Sequence, residues 1–363
     1  MKKADLEASI PRPEGPKATE AAAPARQGTL PVPLGAKDLS RGNKLIEIAG
    51  RIEQERRDHV WTDAIACARD IALACLPRRK TDAKMVEKTI QFAPDCEVTV
   101  RYSVPENRQM PYGADRFVFF GIQHLARTSD SPLVEFQKAG ALLDMFGLPD
   151  SGAEYRRLRA RFARLRSLNI EIETRGTGTV VPKGTEWGIG ARFIEEWSLP
   201  SKKAVDAELA GQRSLLTGRS PYYVRLSDSL FSRVQKNNPE ENVLILRLDL
   251  LQHFRDSPIG WDYCVFLMHR CGSARSISVV PHDVLMKVFK AGNETDPQTI
   301  ERLQKYHREI KVATGDNLNA ELVVVREERK GRGRPRKIWG LRVGPSKGIV
   351  NAGRRFLKDG SAG

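Results

Sequence analysis

The sequence predicts an α+β fold in which one order of elements, helix–strand–helix–turn–helix–hairpin, is run through twice. Two observations predict it. After Cys96, and again from Tyr222, apolar residues switch between the two-residue period of strands and the three- and four-residue steps of helices in the same succession. The final hairpin is marked separately. Apolar runs at Ala320–Val325 (AELVVV) and Ile338–Val343 (IWGLRV) flank the basic tip Gly331-Arg332-Gly333-Arg334-Pro335-Arg336-Lys337. That succession is the winged-helix order, so the expectation is two tandem winged-helix domains, at residues 96–200 and 221–346.

Residues 1–41, rich in Pro and Ala, contain little that could form a core and are expected to be a disordered arm. Residues 42–95 are expected to be a helical segment. Leu45, Ile48, Ile52, Val60, Ala64, Ala68 and Ile71 recur at mainly helical steps until Pro77 and Arg78-Arg79-Lys80 end the pattern. The first pass then reads as a strand at 97–104, a helix at 114–127, a short strand at 133–136 and a short helix at 139–146. A turn at Gly147-Leu148-Pro149-Asp150 leads to an Arg-rich helix over 152–168, and a hairpin uses 169–174 and 187–197. A linker spans 201–220. The second pass opens with a strand at 222–226, a short helix to about 236, a strand at 243–247 and the segment 248–254. A helix at 258–271, a strand at 276–280 and a helix at 281–289 follow. A longer helix at 296–312 has Asp296 as cap and Pro297 in its first turn. The basic hairpin closes the pass, and 347–363 form a basic flexible tail.

Sixty Lys and Arg oppose 45 Asp and Glu over 363 residues, a surplus of 15 positive charges that favours a polyanionic partner. No apolar run approaches the roughly 20 residues that span a bilayer, and the first residues lack the apolar core of a signal peptide. Five scattered cysteines (Cys67, Cys75, Cys96, Cys264, Cys271) form no Cys-x-x-Cys pair. The chain is expected to be cytoplasmic and reduced. On a helix Cys264 and Cys271 share a face that His269 does not, so these three read as helix core and not as a metal site.

On the helix from Gly152, Tyr155, Leu158, Phe162 and Leu165 share one face. Opposite lie Arg156, Ala160, Ala163, Arg164 and Ser167, with Arg157, Arg159, Arg161 and Arg166 on the flanks. Six Arg and no Lys face a single Glu154, so salt-bridge lacing does not explain the pattern. Small residues between long guanidinium groups suit a helix lying in a DNA groove. On the helix from Asp296, Ile300, Leu303, His307 and Ile310 are expected inside. Gln298, Glu301, Arg302, Lys305 and Arg308 lie outside or on the flanks, a mixed surface suited to base and phosphate contacts. From Arg326 to Lys358, basic residues outnumber acidic ones twelve to two. The Gly-Arg-Gly-Arg-Pro tip resembles the AT-hook core. Arg332, Arg334, Arg336 and Lys337 on such a narrow strip would enter the minor groove of A·T-rich DNA.

No P-loop is present, the six histidines form no His-x-His pair, and no compact Asp/Glu cluster suggests a two-metal nuclease. No residue proposes itself for catalysis, and no cofactor or metal is expected. From residues alone the chain reads as a DNA-binding protein; a transcriptional regulator using the same two folds and a nickase or primase with an unrecognised site are the rival readings.

Two blocks carry a resemblance to the plasmid RepA-type replication initiators. The first runs from Met110-Pro111-Tyr112-Gly113 through the hydrophobic helix to Thr128. It continues with Phe146-Gly147-Leu148, similar to the family's Leu-Gly-Leu turn, and with the helix through Arg156 to Arg166. The second is Tyr223 to Phe231 with Leu246 to Leu251, followed by Ser257-Pro258-Ile259-Gly260-Trp261-Asp262-Tyr263. This last run is similar to the family's Ser-Pro-Leu-Ala-Leu-Asp-x-Tyr helix. The likeness covers roughly residues 98–290. It departs at Asp150-Ser151-Gly152-Ala153, where relatives often carry glycines, and at the link Lys236–Glu240. The resemblance implies binding to origin repeats in a plasmid-like replicon and opening of adjacent A·T-rich DNA. It further implies recruitment of the host initiator DnaA and the replicative helicase, and a homodimer that represses where the monomer initiates.

Overall fold

The structure is a computed structural model that describes residues 36–58, 64–93, 96–136, 140–176, 186–198, 222–235, 243–274, 276–327 and 336–346. The chain divides into two units, Met1–Ser40 and Arg41–Gly363. Of the first unit only the opening of one helix is described, and everything below concerns the second. The expected arm (up to residue 35), the linker 201–220 and the tail 347–363 lie outside the described residues.

Helix and strand mix throughout, as an α+β fold requires. Helix α1 (Ala36–Asp58) is followed by strand β1 (Ala64–Ala68), helix α2 (Arg69–Ala74) and strand β2 (Met85–Ala93). The expectation of a helical segment over 42–95 is thereby corrected: Ala64–Ala68 and Met85–Ala93 are strands. Four of the five residues of β1 are fully covered, and a continuous small apolar run buried on both faces has no period that separates strand from helix. β1 pairs antiparallel with a strand from the other half of the chain, β9 (Val243–Arg247), from Ala64↔Arg247 to Ala68↔Val243.

Strand β3 (Cys96–Ser103) leads to the central helix α3 (Asp115–Ser129), β4 (Leu133–Phe136), α4 (Ala141–Met145) and α5 (Gly152–Leu165). β5 (Asn169–Gly176), β6 (Glu186–Arg192) and β7 (Ile194–Ser198) complete this half. The hairpin β5–β6 extends a four-stranded sheet in the order β2-β3-β5-β6. The short strand β4 joins a different sheet, β4-β8-β7, with β8 (Tyr222–Leu226) in its centre. Its alternation exposes Leu133 and Glu135 and buries Val134 and Phe136, and the register sets Val134 opposite Val224. Helices α6 (Asp228–Val234) and α7 (Leu248–His253) flank β9. Then come α8 (Pro258–Ser273), β10 (Ser278–Val280), α9 (His282–Phe289), α10 (Asp296–Thr314), β11 (Ala320–Glu327) and β12 (Arg336–Val343). The last three strands form one sheet in the order β10-β12-β11.

Residues 96–200 and 221–346, expected as two domains, share one core. A continuous cluster of buried apolar side chains runs from Leu45 to Val343. Trp261 of α8 packs against Phe117 and Phe120 of α3 at 5.2 and 5.6 Å between ring centroids, and Phe117 stacks on Phe146 at 5.1 Å. Buried ion pairs tie the segment before residue 96 to the second half. Arg233 of α6 pairs with Asp70 of α2, and Arg247 pairs with Glu55 of α1 and, at 2.6 Å, with Asp249. Arg127 donates to the carbonyls of Val234 and Gln235, which closes the end of α6. Pairs of this kind contribute little net stability, but losing one partner leaves a buried charge, so they fix how the elements register.

Candidate nucleic-acid interface

Helix α5 starts where the sequence stops it from starting earlier. Leu148 N donates to Leu143 O and Gly147 takes a φ of +59°, so α4 ends in a left-handed turn that favours glycine. Ser151 caps α5 by accepting from Glu154 N at 3.3 Å. Tyr155, Leu158, Phe162 and Leu165 are all buried, as the apolar spacing predicts.

The six arginines do not share one fate. Arg156, Arg157 and Arg159 are exposed, with exposed Ala160 beside them. Arg157 pairs with Glu154 and keeps 65% of its side-chain surface; Arg156 and Arg159 make no ion pair among the described residues. Arg166 is half-buried, its guanidinium 5.2 Å from the centre of the exposed Trp197 ring. Arg161 and Arg164 depart from the expected groove-facing array. Arg161 is buried over the Phe117 ring at 5.5 Å and 3.9 Å from Glu154, which lies on the same flank two turns earlier. Burial holds its pKa below the ordinary arginine value against the pull of Glu154. Arg164 grips the buried carboxylate of Asp115 with two bonds, Nε at 2.7 Å and Nη2 at 2.6 Å, and lies over Tyr112 at 5.1 Å. Burial pushes the Arg164 pKa down, but the hydrogen bonds and charge of Asp115 outweigh it and the net shift is upward. The physical reason is reach: even from the face expected outward, the long Arg164 side chain folds back onto a carboxylate of another element, and helical spacing does not show that carboxylate.

Helix α10 buries Ile300, Leu303, His307 and Ile310, again as spaced. Pro297 sits in its first turn, but the cap is Thr295 and not the expected Asp296: Gln298, an exposed residue, accepts from Thr295 N through Oε1 at 3.0 Å and so serves the helix start. Arg302, expected outward, turns back to Glu294 and to the Phe289 carbonyl at 3.0 Å. Lys305 and Arg308 are exposed, with Glu301 between them and Gln298. His307 Nδ1 lies 3.0 Å from Tyr263 Oη, and burial lowers its pKa to about 4.

The hairpin β11–β12 pairs in register from Ala320↔Val343 to Glu327↔Arg336. Arg336 and Lys337 open β12 opposite Glu327 and Arg326, while the tip that carries Arg332 and Arg334 lies outside the described residues. Cys264, Cys271 and His269 are buried, and no group of three potential metal ligands occurs among the described residues. No described helix is long and apolar enough to cross a membrane.

Residues that local reading did not find hold the two helices in place. Asp262 of α8 takes Arg78 Nε at 2.7 Å and Arg116 Nη2 at 3.1 Å, and all of this is buried except the edge of Arg78. Burial pushes the Asp262 pKa up, but the charges of Arg116, Arg78 and Lys88 override it and the carboxyl is held below its ordinary value. Arg78 also donates to Val288 O at 2.6 Å, at the end of α9. No signal in the sequence links these partners, which stand up to 210 residues apart in sequence.

No family model matches the chain, and no curated protein does. Among solved structures it is similar to a crystal structure of a selenomethionine derivative of domains 2 and 3 of RctB. The two are 14% identical, with a TM-score of 0.46 and coverage of 74% of this chain and 93% of that one. A second crystal structure of RctB domains 2–3 is also 14% identical, with a TM-score of 0.44 and coverage of 76% and 97%.

Proposed function

We propose that this chain is a sequence-specific binder of double-stranded DNA that initiates replication of a plasmid or plasmid-like replicon, acting through binding energy and without covalent chemistry of its own. The observation that carries the DNA reading is the exposed stretch of α5. Arg156, Arg157 and Arg159 project around Ala160 from a helix whose rear face is locked into the core, with Glu154 the helix's single carboxylate. A rigid helix with guanidinium groups around a small residue fits a groove, where arginine reads guanine edges or binds phosphate. The second half supports a winged-helix reading. Over 258–343 the elements run helix, strand, helix, helix, hairpin, and the lone strand pairs with the second hairpin strand. Gln298, Lys305 and Arg308 would then read or grip DNA from α10, with the Arg332–Lys337 tip in an adjacent minor groove.

The step from DNA binding to initiation rests on the resemblance to RepA-type initiators and brings its partners with it: origin repeats, DnaA, the replicative helicase and a repressing homodimer. The test has two parts. Purified chain should bind a duplex carrying the repeats that flank its gene, with log K falling about 0.9 per phosphate contact for each decade of salt. A minimal circle carrying the gene and those repeats should replicate in a host. Tight binding without replication would leave a regulator, and a salt-independent or absent interaction would remove the DNA reading altogether.

A further inference from the structure

The turn after Leu76 lies between the two candidate reading helices, and it is built as a rigid mount. Pro77 O accepts from Gly113 N at 2.9 Å, which joins it to the segment where Tyr112 and Asp115 hold Arg164 of α5. Tyr112 N itself donates to Asp115 Oδ2 at 2.9 Å. On the other side, Arg78 donates to the Phe289 carbonyl at 3.4 Å, and Arg302 of α10 donates to that same oxygen at 3.0 Å. Asp262 clamps Arg78 from beneath, and Lys88 Nζ holds Cys75 O at 3.0 Å just before the turn. Arg164 of α5 and Arg302 of α10 therefore both end on neighbours of this one turn.

Arg79 and Lys80 come next, both exposed, and neither makes an ion pair or hydrogen bond among the described residues. Asp82, the nearest carboxylate in sequence, is exposed and pairs with neither. Arg342, also exposed, does find a carboxylate in Glu321, whereas Arg156 and Arg159 of α5 stand without an ion pair among the described residues, as Arg79 and Lys80 do. Two unpaired cations on a turn braced from both sides present fixed positive charge at a fixed place. Lys80 stands two residues beyond Arg78, at most about 7 Å of chain, so it cannot stray from the mount.

Resting on the DNA-binding reading above, we infer that the Pro77–Lys80 turn is a third DNA contact, with Arg79 and Lys80 on backbone phosphates between the segments engaged by α5 and α10. Its chemistry is sequence-independent: it grips phosphate and sets the spacing of the two read segments. Two helices engaging one face of B-DNA meet successive major grooves about 34 Å apart, with the phosphates of the intervening minor groove between them.

The experiment uses the full chain and a duplex selected by the unaltered protein from a random-sequence pool. Arg79→Ser with Lys80→Ser should make the salt slope shallower by about 1.8, two contacts at 0.9 each. That is on the order of a 60-fold weaker constant at 0.1 M relative to 1 M salt. Phosphate ethylation between the two protected segments should block the unaltered protein and cease to matter to the variant. A control removing two exposed cations from α1, Lys44→Ser with Arg57→Ser, should keep both slope and interference pattern. An unchanged slope in the turn variant, or an equal loss in the control, overturns the third contact while leaving DNA binding intact. Failure of the unaltered chain to select any duplex overturns both.

Discussion

Replacing Arg164 by alanine separates the two fates of the arginine helix. In the folded protein the Asp115 side chain is 2% exposed and accepts two bonds from Arg164, whose own side chain is 20% exposed, besides one from Tyr112 N. Removing one member of a buried pair costs roughly 3–5 kcal/mol, because the other charge is left stranded. Asp115 keeps the Tyr112 N–H and sits in the first turn of α3, where the helix dipole favours a negative charge, so the expected loss is about 2–4 kcal/mol. At about 2–4 °C per kcal/mol, the melting midpoint should fall by about 4–16 °C. Arg156→Ala, with no described partner to strand, should stay within about 0.5 kcal/mol of the unaltered stability. DNA affinity should invert the order. Arg156→Ala loses about 1–3 kcal/mol of binding, and Arg164→Ala at 20 °C stays near the unaltered value. Calorimetric melting and fluorescence anisotropy on one duplex measure both. Adding Asp115→Asn to Arg164→Ala should restore part of the stability, since the orphaned charge is gone. An unchanged midpoint with a large affinity loss in Arg164→Ala would refute the inward assignment and return that side chain to the DNA.

Stability should fall as pH drops from about 6.5 toward 4. Burial lowers His307 to about 4 and His269 to about 3, so the folded chain resists protons that the unfolded chain binds near pH 6.5. Each histidine then contributes up to about 1.4 kcal/mol per pH unit within its window, and urea titrations at pH 7, 6 and 5 that superimpose would contradict this. Gly260→Ala should destabilise by about 1–3 kcal/mol, because its Cβ would stand 2.7 Å from a ring carbon of buried Phe254 and 3.2 Å from Tyr306. A midpoint equal to or above the unaltered one would show that this packing yields. Alanine at Arg332, Arg334 and Arg336 together should weaken binding more on sites flanked by A-tracts than by G·C pairs, and Gly333→Val should weaken it without any change of charge. Equal losses on both flanks with a silent Gly333→Val would make the tip an ordinary basic loop.

What could be read from residues alone follows from the range of the forces involved. The buried faces of α5 and α10 were legible because four apolar side chains at helical spacing can hide together in only one way. The strands 133–136, 222–226 and 243–247 were legible because turn residues bound each short apolar run, and the helix at 258 because Ser257 and Pro258 announce it. Ala64–Ala68 was not, since a strand covered on both faces offers no alternation to detect. The partition of arginines was not legible either. Nothing within the helices themselves distinguishes Arg164 and Arg302 from Arg156 and Lys305. Their partners, Asp115 and the Phe289 carbonyl, arrive through tertiary structure, 49 and 13 residues away.

That partition bears on how the net charge should be understood. The described core hides five arginines, Arg116, Arg127, Arg161, Arg233 and Arg247, together with six carboxylates, Glu55, Asp70, Asp115, Glu154, Asp249 and Asp262. Burial therefore removes the two signs in nearly equal number, and the surplus of 15 positive charges is not consumed inside the protein. A buried arginine is costly to desolvate, so each that goes inside must meet a carboxylate or carbonyl waiting there. The same residue type then does two jobs along a single helix. Where a carboxylate or an aromatic ring stands within reach, as for Arg161 and Arg164, it braces the fold. Where none does, as for Arg156 and Arg159, it remains a mobile cation on a fixed backbone, the arrangement that a phosphate or a guanine edge completes.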